Sequence, residues 1–311
     1  MELYDLVILG AGAAGMGAAQ YCARANLKTL VVEEMAPGGQ ALLIDRLENY
    51  PGLPEPVDGY AWSETMRAQA EQFGAAFMSA SVSAVRKNGE RFIVETADGP
   101  IEAKSVIVAT GAKHRHLGVK GEEEYAGRGV SYCATCDGPF FKGKRMVVVG
   151  GGDSACDEAM FLSKLADKVV MVHRKDRFRA QKSVAARVLS NPKIEVRFET
   201  VVEEIRGAKA VESVSLRNLK TGAVTVEPAS AVFVFVGSIP QTEALPAELE
   251  KDEAGSIRTN DRMETNVPGL FAAGDVRATP FRQVITAVSD GAVAAHCAAQ
   301  YIDEIEGKAY L

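Results

Sequence analysis

Residues 4–15 read YDLVILGAGAAG, an apolar run followed by a glycine-rich turn, and this stretch limits the folds that the chain can adopt. The run is typical of a buried strand, and the pattern after Gly15 predicts a helix to about Ala25. A second apolar run, TLVVE, then ends at Glu33. The order strand, turn, helix, strand predicts a β-α-β unit of the kind that binds dinucleotides.

The glycine spacing of this turn has a chemical use. In the pattern GxGxxG, Gly10 makes the tight turn, Gly12 lets the backbone approach a pyrophosphate, and Gly15 lets helix and strand pack closely. Glu33 ends the next strand, where a carboxylate accepts hydrogen bonds from ribose hydroxyls. We therefore expect a dinucleotide with an unmodified ribose, in preference to a glycine turn without a ligand.

The same plan occurs again further along the chain. The strand-like run RMVVVG ends at Gly150, and the turn GGGDSA follows, with Gly152 and Ala155 in the second and third glycine positions. A helical stretch and the strand-like run KVVMVH come next. We therefore expect a second dinucleotide unit, with alanine in the third position as in NADP-type variants.

The second unit ends its second strand with cations. Where the first unit has Glu33, the segment HRKDRFRA supplies Arg174, Lys175 and Arg179. Cations favour a ribose that carries a 2′-phosphate, the feature that distinguishes NADPH from NADH. Two charge-assisted bonds of about 1.5 kcal/mol each would favour NADPH roughly 100-fold. The alternative is a solvated basic loop.

Two dinucleotides predict an electron path, because a flavin can take an electron pair from a nicotinamide and pass it to a disulfide. The stretch YCATCDG offers Cys133 and Cys136, followed by Asp137 as a proton donor, and we interpret the cysteines as a redox couple. A zinc site would need His114 and His116, whose spacing fits a tetrahedral site poorly. Two inert thiols would be expected in more apolar surroundings.

Composition restricts the remaining classes of function. The chain has 311 residues, 47% of them hydrophobic, and a net charge of −6, so it can bury large cores but lacks a basic field for nucleic acid or anionic lipid. The N-terminus lacks the features of a secretion signal, and no stretch is long enough to cross a bilayer. Five cysteines do not make a secreted disulfide framework. We expect a cytoplasmic protein without nucleic-acid, membrane or metal partners, with Cys22, Cys156 and Cys297 as small core residues.

The motifs together resemble the low-molecular-weight thioredoxin reductases over essentially the whole chain. The segments that carry the resemblance are GAGAAG, GGQ, ENYPG, ATGA, CATCDG, GGGDSACDEA, HRKDRFRA, GLFAAGDV and RQVITAVSDGAVAA. The resemblance implies an α/β fold with two Rossmann-like dinucleotide-binding domains, the second inserted into the first. It implies a discontinuous FAD domain, residues 1–113 and 243–311, and an NADPH domain with the CxxC pair, residues 114–242. It further implies FAD and NADPH as cofactors, thioredoxin or a thioredoxin-like protein as partner, and a homodimer.

The resemblance also assigns roles to individual residues. Cys136 would exchange electrons with the flavin, Cys133 would attack the disulfide of the protein substrate, and Asp137 would supply and remove protons. The FAD contacts that the matching motifs imply are Gly10, Gly12, Ala14, Gly15, Glu33, Gly39, Gln40, Asn49, Thr110, Gly111, Gly274, Asp275, Arg282 and Gln283. The implied NADPH contacts are Gly150, Gly152, Asp153, Ser154, Ala155, Glu158, His173, Arg174, Lys175 and Arg179.

The order of the motifs implies a domain movement. CATC and the second glycine turn lie in the same inserted domain, so the disulfide and the nicotinamide would compete for one flavin. The family resolves this competition by rotating the small domain, and we expect hinges near residues 113–118 and 238–243.

Three residues depart from the usual family pattern. Lys175 stands where a second arginine is common, which keeps the charge but loses the planar fork and predicts a weaker NADPH preference. Asp153 stands where asparagine is frequent and adds negative charge near the pyrophosphate. Gln241 replaces a common asparagine, and the sequence offers no interpretation of it.

Related activities remain as alternatives, above all an NAD(P)H-dependent dithiol reductase for another thioredoxin-like or peroxidase-coupled protein. The flavoprotein that reduces the alkyl hydroperoxide peroxidase carries extra domains before its first glycine turn, whereas GAGAAG begins here at Gly10. Small-molecule dithiol oxidases have little use for the basic cluster, and a ferredoxin-fed relative would lack both it and GGGDSA. A flavin-dependent redox sensor would not need the NADPH site and CATC together.

Overall fold

The computed structural model describes residues 2–44 and 47–308. The chain divides into two compact units, of which the first comprises residues 1–113 and 239–311 and the second residues 114–238. The second crossing between the units thus lies at 238/239, whereas the sequence-based boundary lies at 242/243. Which nucleotide each unit binds stays a prediction at this point.

The helices and strands alternate in residues 3–79 and 130–197, and strands follow one another without an intervening α-helix in residues 76–114 and 194–272. In chain order they are β1 (Leu3–Leu9), α1 (Ala13–Arg24), β2 (Thr29–Glu33), α2 (Gly59–Gln72), β3 (Ala76–Ser79), β4 (Val82–Asn88), β5 (Arg91–Thr96), β6 (Gly99–Val108), β7 (Ala112–His114), β8 (Val130–Ser131), α3 (Ala134–Asp137), β9 (Arg145–Gly150), α4 (Asp153–Leu165), β10 (Lys168–Val172), α5 (Lys182–Ser190), β11 (Ile194–Arg197), β12 (Thr200–Gly207), β13 (Val211–Asn218), β14 (Val224–Pro228), β15 (Ala231–Phe235), β16 (Ser238–Pro240), β17 (Leu270–Ala272) and α6 (Val284–Ile305). Short 3₁₀ helices cover Gly39–Leu43, Gly138–Phe141 and Gly274–Val276.

The first unit is built on a sheet whose strand order is β3-β2-β1-β6-β5-β4, with β17 also paired to β6. Five strands run parallel, namely β3, β2, β1, β6 and β17. Strands β4 and β5 form an antiparallel hairpin, and β5 pairs with residues 99–103 of β6. The hairpin turns at Gly89, and the pair Asn88-Gly89 is typical of a tight hairpin turn. Because parallel strands end at one edge, residues that follow β2, β1, β6 and β17 meet there.

The core of the first unit contains many alanine and glycine residues where α1 and α6 pack against each other. Side chains alternate along β1, so that Leu6 and Ile8 join one apolar cluster while Val7 and Leu9 join another. The first cluster includes alanines of α1 and α6, and a methyl group added at Gly291 would lie 2.1 Å from the carbonyl oxygen of Ala14. Helices α1 and α6 therefore pack with their backbones close together.

The second unit repeats the parallel plan. Its main sheet has the order β11-β10-β9-β15-β8, and β12, β13 and β14 form a separate three-stranded sheet. The strands β7 and β16, which lie where the chain passes between the units, pair with each other.

Cys22, Cys156 and Cys297 are buried free thiols within the helices α1, α4 and α6, as predicted. Among residues 2–44 and 47–308, no helix is long and apolar enough to span a bilayer.

Candidate functional site: two nucleotide turns and a disulfide

The turn between β1 and α1 leaves the start of the helix open. Gly12 is the N-cap, no side chain caps the helix, and its first turn carries no acid. The first N–H groups of a helix lack intrahelical partners and, with the helix dipole, favour an anion. A methyl group added at Gly15 would lie 1.9 Å from the carbonyl oxygen of Gly10, whereas one at Gly12 would meet no atom within 4 Å. The turn thus packs tightly behind an accessible helix start, which suits a pyrophosphate.

Glu33 lies beside this turn at the carboxyl end of β2. Its Oε2 accepts a hydrogen bond from the Ala11 N–H at 2.7 Å, and its Oε1 accepts one from the Met35 N–H at 2.9 Å. A carboxylate has about four lone-pair positions. The two bonds therefore hold the group in place and leave acceptor capacity for ribose hydroxyls.

Two further predicted glycines border the start of α1. A methyl group added at Gly39 would lie 3.1 Å from the Gly12 Cα, and one at Gly274 would lie 2.8 Å from the Ala14 Cβ. Both glycines also have positive φ angles, 54° and 75°. Side chains at these positions would fill the space around the helix start, so the residues present fit a dinucleotide.

Polar side chains that lie far apart in sequence meet at the same edge. The Asn49 side-chain amide donates to Gln283 Oε1 at 2.9 Å, although 234 positions separate the two residues. Gln283 also caps α6 in a reciprocal pair with Thr286. Gln40 Nε2 donates to the carbonyl of Ala112 at 2.6 Å. The structure thus brings Asn49 and Gln283 together, as the implied common site requires.

Gln241, which the sequence left without interpretation, acquires a role from its contacts. Its Nε2 donates to the Thr110 carbonyl at 2.7 Å and its N–H donates to the Gly111 carbonyl at 3.0 Å. Thr110 Oγ1 donates in return to the Gln241 carbonyl at 2.6 Å. Gln241 therefore holds the predicted residues Thr110 and Gly111 in place, a role that no local sequence signal reveals.

Asp275 follows Gly274 in the short 3₁₀ helix after β17. Burial raises the pKa of its carboxyl group, nearby Asp290 adds to the increase, and the Arg282 cation opposes it. Asp290 is itself held by Arg277 Nη1 at 2.9 Å and accepts from the Gly274 N–H at 3.2 Å. Asp275 and Arg282, both predicted at the FAD site, therefore lie near enough to interact electrostatically.

The turn between β9 and α4 repeats this geometry in the second unit. A methyl group at Gly150 would lie 2.4 Å from the Phe235 carbonyl oxygen and 2.7 Å from the Ala155 Cβ, so this turn is also tightly packed. Gly152 is the N-cap of α4, and no side chain caps it. Ser154 is exposed in the first turn of α4 and Glu158 lies one turn later.

Asp153, at the start of α4, contacts Gln181. Its Oδ1 accepts a hydrogen bond from the Gln181 N–H at 2.7 Å, and its Oδ2 lies 3.5 Å from Gln181 Nε2. The carboxylate therefore fixes the chain that follows the basic segment. Its negative charge is partly compensated there by hydrogen bonds.

The basic segment follows β10 and starts with His173, whose ring lies against Gly151. Burial is the main cause that lowers the pKa of His173, and the nearby cations lower it further, while a backbone hydrogen bond at Arg177 opposes the decrease. Arg174, Lys175 and Arg179 are exposed, and none of them forms a salt bridge within residues 2–44 and 47–308. Arg174 and Lys175 line one pocket, whereas Arg179 does not; its N–H donates to the Gly151 carbonyl at 2.7 Å.

Cys133 and Cys136 form a disulfide with a Cα–Cα distance of 5.4 Å. Cys133 is the N-cap of α3, and its Sγ accepts a hydrogen bond from the Cys136 N–H at 3.1 Å. Cys136 is exposed, while Cys133 and Asp137 are partly buried. Ser131 Oγ bonds to both the N–H and the carbonyl of Cys133 at 3.1 Å. The redox interpretation requires such a closed, accessible pair.

One cluster near the disulfide was missed by the sequence analysis. Tyr132 donates its hydroxyl proton to the buried carboxylate of Glu122 at 2.8 Å, and His116 Nδ1 lies 2.7 Å from the same hydroxyl. Glu122 also accepts the N–H groups of Leu117 and Gly118. His116, considered as a zinc ligand, thus bonds to Tyr132. Within the described ranges, no three His, Cys, Asp or Glu side chains are grouped so as to hold a metal ion.

Comparison with known proteins agrees with this geometry. The model of the pyridine nucleotide-disulphide oxidoreductase family matches residues 4–291. The chain belongs to this family. The thioredoxin reductase of Treponema pallidum is 55% identical over 303 residues, which cover 97% of this chain and 98% of that protein.

Solved structures point to the same subgroup. The Lactococcus lactis thioredoxin reductase in its FR conformation is 44% identical, with a TM-score of 0.95 and coverage of 97% of this chain and 99% of that one. The T. acidophilum thioredoxin reductase is 36% identical, with a TM-score of 0.93 and coverage of 98% and 100%. The resemblance to low-molecular-weight thioredoxin reductases and the two-domain Rossmann-type fold are thereby confirmed.

Proposed function

We propose that the chain is an NADPH-dependent thioredoxin reductase that moves electrons through FAD and the Cys133–Cys136 disulfide to oxidised thioredoxin. The observation that carries the proposal is this closed, partly exposed disulfide in the same unit as a glycine turn and a basic segment, in which Arg174 and Lys175 form no ion pair with the residues that the structure describes. The names of the relatives support thioredoxin as the substrate. When bound, FAD would supply the redox chemistry that links hydride transfer from a nicotinamide to the reduction of a disulfide.

The residues of the first unit fit FAD. The open start of α1 would bind the pyrophosphate, and Glu33 would accept hydrogen bonds from a ribose without a 2′-phosphate. Gly274 and Asp275 would lie by the ribityl chain and pyrophosphate. Asn49 and Gln283, joined by their hydrogen bond, would line the flavin ring.

The residues of the second unit fit NADPH. The start of α4 would bind its pyrophosphate, while Arg174 and Lys175 would bind the 2′-phosphate. The basic side chains have no competing ion pairs in the described chain. A 2′-phosphate would therefore gain charge-assisted hydrogen bonds without breaking existing ones.

The thiol chemistry follows from the chain's own sulfurs. In the reduced protein, the Cys133 thiolate attacks the thioredoxin disulfide, so that a mixed disulfide forms and one thioredoxin sulfur leaves. Cys136 then attacks Cys133, which restores the Cys133–Cys136 disulfide and releases reduced thioredoxin. Two electrons and two protons pass to thioredoxin. Asp137, one residue after Cys136, is proposed to exchange these protons.

A rotation of the second unit would let both reactions occur. The disulfide and the NADPH turn belong to one unit and the FAD turn to the other, so we infer that the linkers near 113–118 and 238–243 act as hinges. A cross-link that fixes one orientation should permit NADPH-to-flavin or flavin-to-disulfide transfer, but not both. Full turnover in the locked protein would contradict the rotation.

We further propose a cytoplasmic homodimer, on the family resemblance alone. Sedimentation at equilibrium tests the oligomeric state. A monomer at all protein concentrations would contradict it.

The function is tested in two stages with the purified flavoprotein. NADPH should bleach the flavin absorbance, and added thioredoxin should then give continuous thiol formation. Cys136→Ser should retain bleaching and lose thioredoxin turnover, because one sulfur cannot form the internal disulfide. Cys297→Ala, which removes a buried thiol outside the pair, is the matched control. Normal thioredoxin turnover in Cys136→Ser would overturn the proposal.

A further inference from the structure

We propose that Lys220, on the turn between β13 and β14, is a third cation that binds the 2′-phosphate of NADPH, beside Arg174 and Lys175. The inference rests on the proposed use of NADPH. The pocket that holds these cations is lined by Arg174, Lys175, Asp176, Glu199, Leu219 and Lys220. Its far wall comes from a hairpin turn that lies more than forty positions after Lys175 and that no nucleotide motif includes.

Backbone hydrogen bonds join this turn to the basic segment. The Glu199 N–H donates to the Lys175 carbonyl at 3.0 Å, and the Leu219 N–H donates to the Glu199 carbonyl at 2.6 Å. Glu199 thus connects the two walls through its main chain. The proximity of Lys220 to the two other cations therefore does not depend on the conformation of a flexible side chain alone.

The turn that carries Lys220 is itself rigid. Asn218 Oδ1 accepts hydrogen bonds from the Lys220 N–H at 3.0 Å and the Thr221 N–H at 2.9 Å. The Gly222 N–H also donates to the Asn218 carbonyl at 2.9 Å. These bonds fix the backbone of Lys220, so less conformational entropy is lost when its ammonium group binds a ligand.

The charges of the pocket favour an anion. Lys220 forms an ion pair with Glu199 at 3.8 Å, in which the side chains of Lys220 and Glu199 are 75% and 35% exposed. A long pair between exposed groups is weak, so the ammonium can turn toward a phosphate dianion. With the two anions Asp176 and Glu199 counted, the lining still carries one excess positive charge.

An apolar side chain in the lining favours a nucleotide over free phosphate. Leu219 is 53% exposed beside the cations. Its surface can cover the apolar parts of a sugar and a base, which inorganic phosphate lacks. Lys220 would also compensate for Lys175, which lacks the planar fork of the arginine that the family usually has there.

The test is calorimetric titration of the flavin-loaded protein with 2′,5′-ADP and with 5′-AMP, which lacks the 2′-phosphate. Lys220→Ala should weaken 2′,5′-ADP binding about three- to tenfold and leave 5′-AMP binding unchanged. Lys220→Arg should bind like the wild type. The difference should shrink at high salt, because exposed charges are screened.

Two matched variants complete the experiment. Glu199→Gln removes an anion from the pocket and should strengthen 2′,5′-ADP binding. Lys209→Ala removes an exposed lysine at the turn before β13 and should change neither affinity. A wild type that prefers 2′,5′-ADP, combined with an unaffected Lys220→Ala variant, would overturn this inference alone. Equal loss of both ligands in Lys220→Ala would also overturn it, and a wild type without preference would overturn NADPH use as well.

Discussion

The two glycine turns share a backbone plan but differ in the side chains at the strand end, where we propose that the ribose of each dinucleotide binds. At the first turn, Glu33 bonds to two backbone N–H groups and presents a carboxylate. At the second, β10 ends at Val172 and is followed by His173 and exposed cations, while the acid Asp153 accepts a hydrogen bond from the Gln181 N–H. A single supersecondary unit can thus distinguish two dinucleotides through a few side chains, because the turn binds the shared pyrophosphate and the strand end contacts the differing ribose.

The largest expected effect is on stability, and two glycine variants of the first turn distinguish a role in packing from a role in ligand binding. Gly15→Ala places a methyl group against the Gly10 carbonyl, and we expect it to destabilise the flavin-free protein by about 2–3 kcal/mol in denaturant unfolding. Gly12→Ala meets no neighbouring atom, so unfolding should be unchanged while flavin content falls.

Gly152→Ala is the counterpart in the second unit, where an added methyl group also meets no atom within 4 Å. It should raise the KM for NADPH and keep the flavin content of the wild type. If Gly12→Ala bound FAD with unchanged affinity, the open helix start would not be the pyrophosphate site.

The next effect concerns the ribose. The double variant Arg174→Ala/Lys175→Ala removes two cations that line the pocket and should reduce the NADPH over NADH preference roughly 100-fold. The measurement is kcat/KM for flavin reduction with each nucleotide. The rate with NADH and the flavin content should stay constant and serve as internal controls. An unchanged ratio would mean that the second unit does not read the 2′-phosphate.

The smallest effect concerns Asp275, a partly buried acid of the first unit. Burial raises the pKa of Asp275, so this group stabilises the flavin-free fold below its unfolded pKa, about 3.9, and that contribution is lost as the pH rises through the folded pKa. Asp275→Asn should therefore raise the melting temperature of the flavin-free protein at pH 7, and the gain should vanish toward pH 4.

Asp98→Asn, an exposed acid between β5 and β6, is the control for this pH series and should show no such gain. A lower melting temperature of Asp275→Asn at pH 7 would contradict the electrostatic account. Weaker FAD binding by the same variant would link the Asp275 carboxyl group to the cofactor.

The sequence supplied the local features because each depends on short-range chemistry. Such features are both glycine turns, the Asn-Gly hairpin at Gly89 and the small buried cysteines. Each of them is recognised from a sequence pattern that covers only neighbouring residues. The contacts that complete the site are not recognised in this way. Asn49 bonds to Gln283, and Gln241 bonds to Thr110, over more than a hundred positions, so no periodicity or motif could reveal them.

By itself, then, the sequence determined two Rossmann-type folds, the sign of the charge at each strand end that is proposed to contact a ribose, and the spacing of the redox pair. Those properties follow from backbone sterics, hydrophobic periodicity and side-chain charge, all of which act locally. Only the tertiary structure decided that Asp153 bonds to Gln181, that Arg179 lies outside the pocket of Arg174 and Lys175, and that Lys220 enters it. Such contacts depend on how strands and turns distant in sequence meet at the ends of a sheet, where packing and hydrogen bonds select the neighbours.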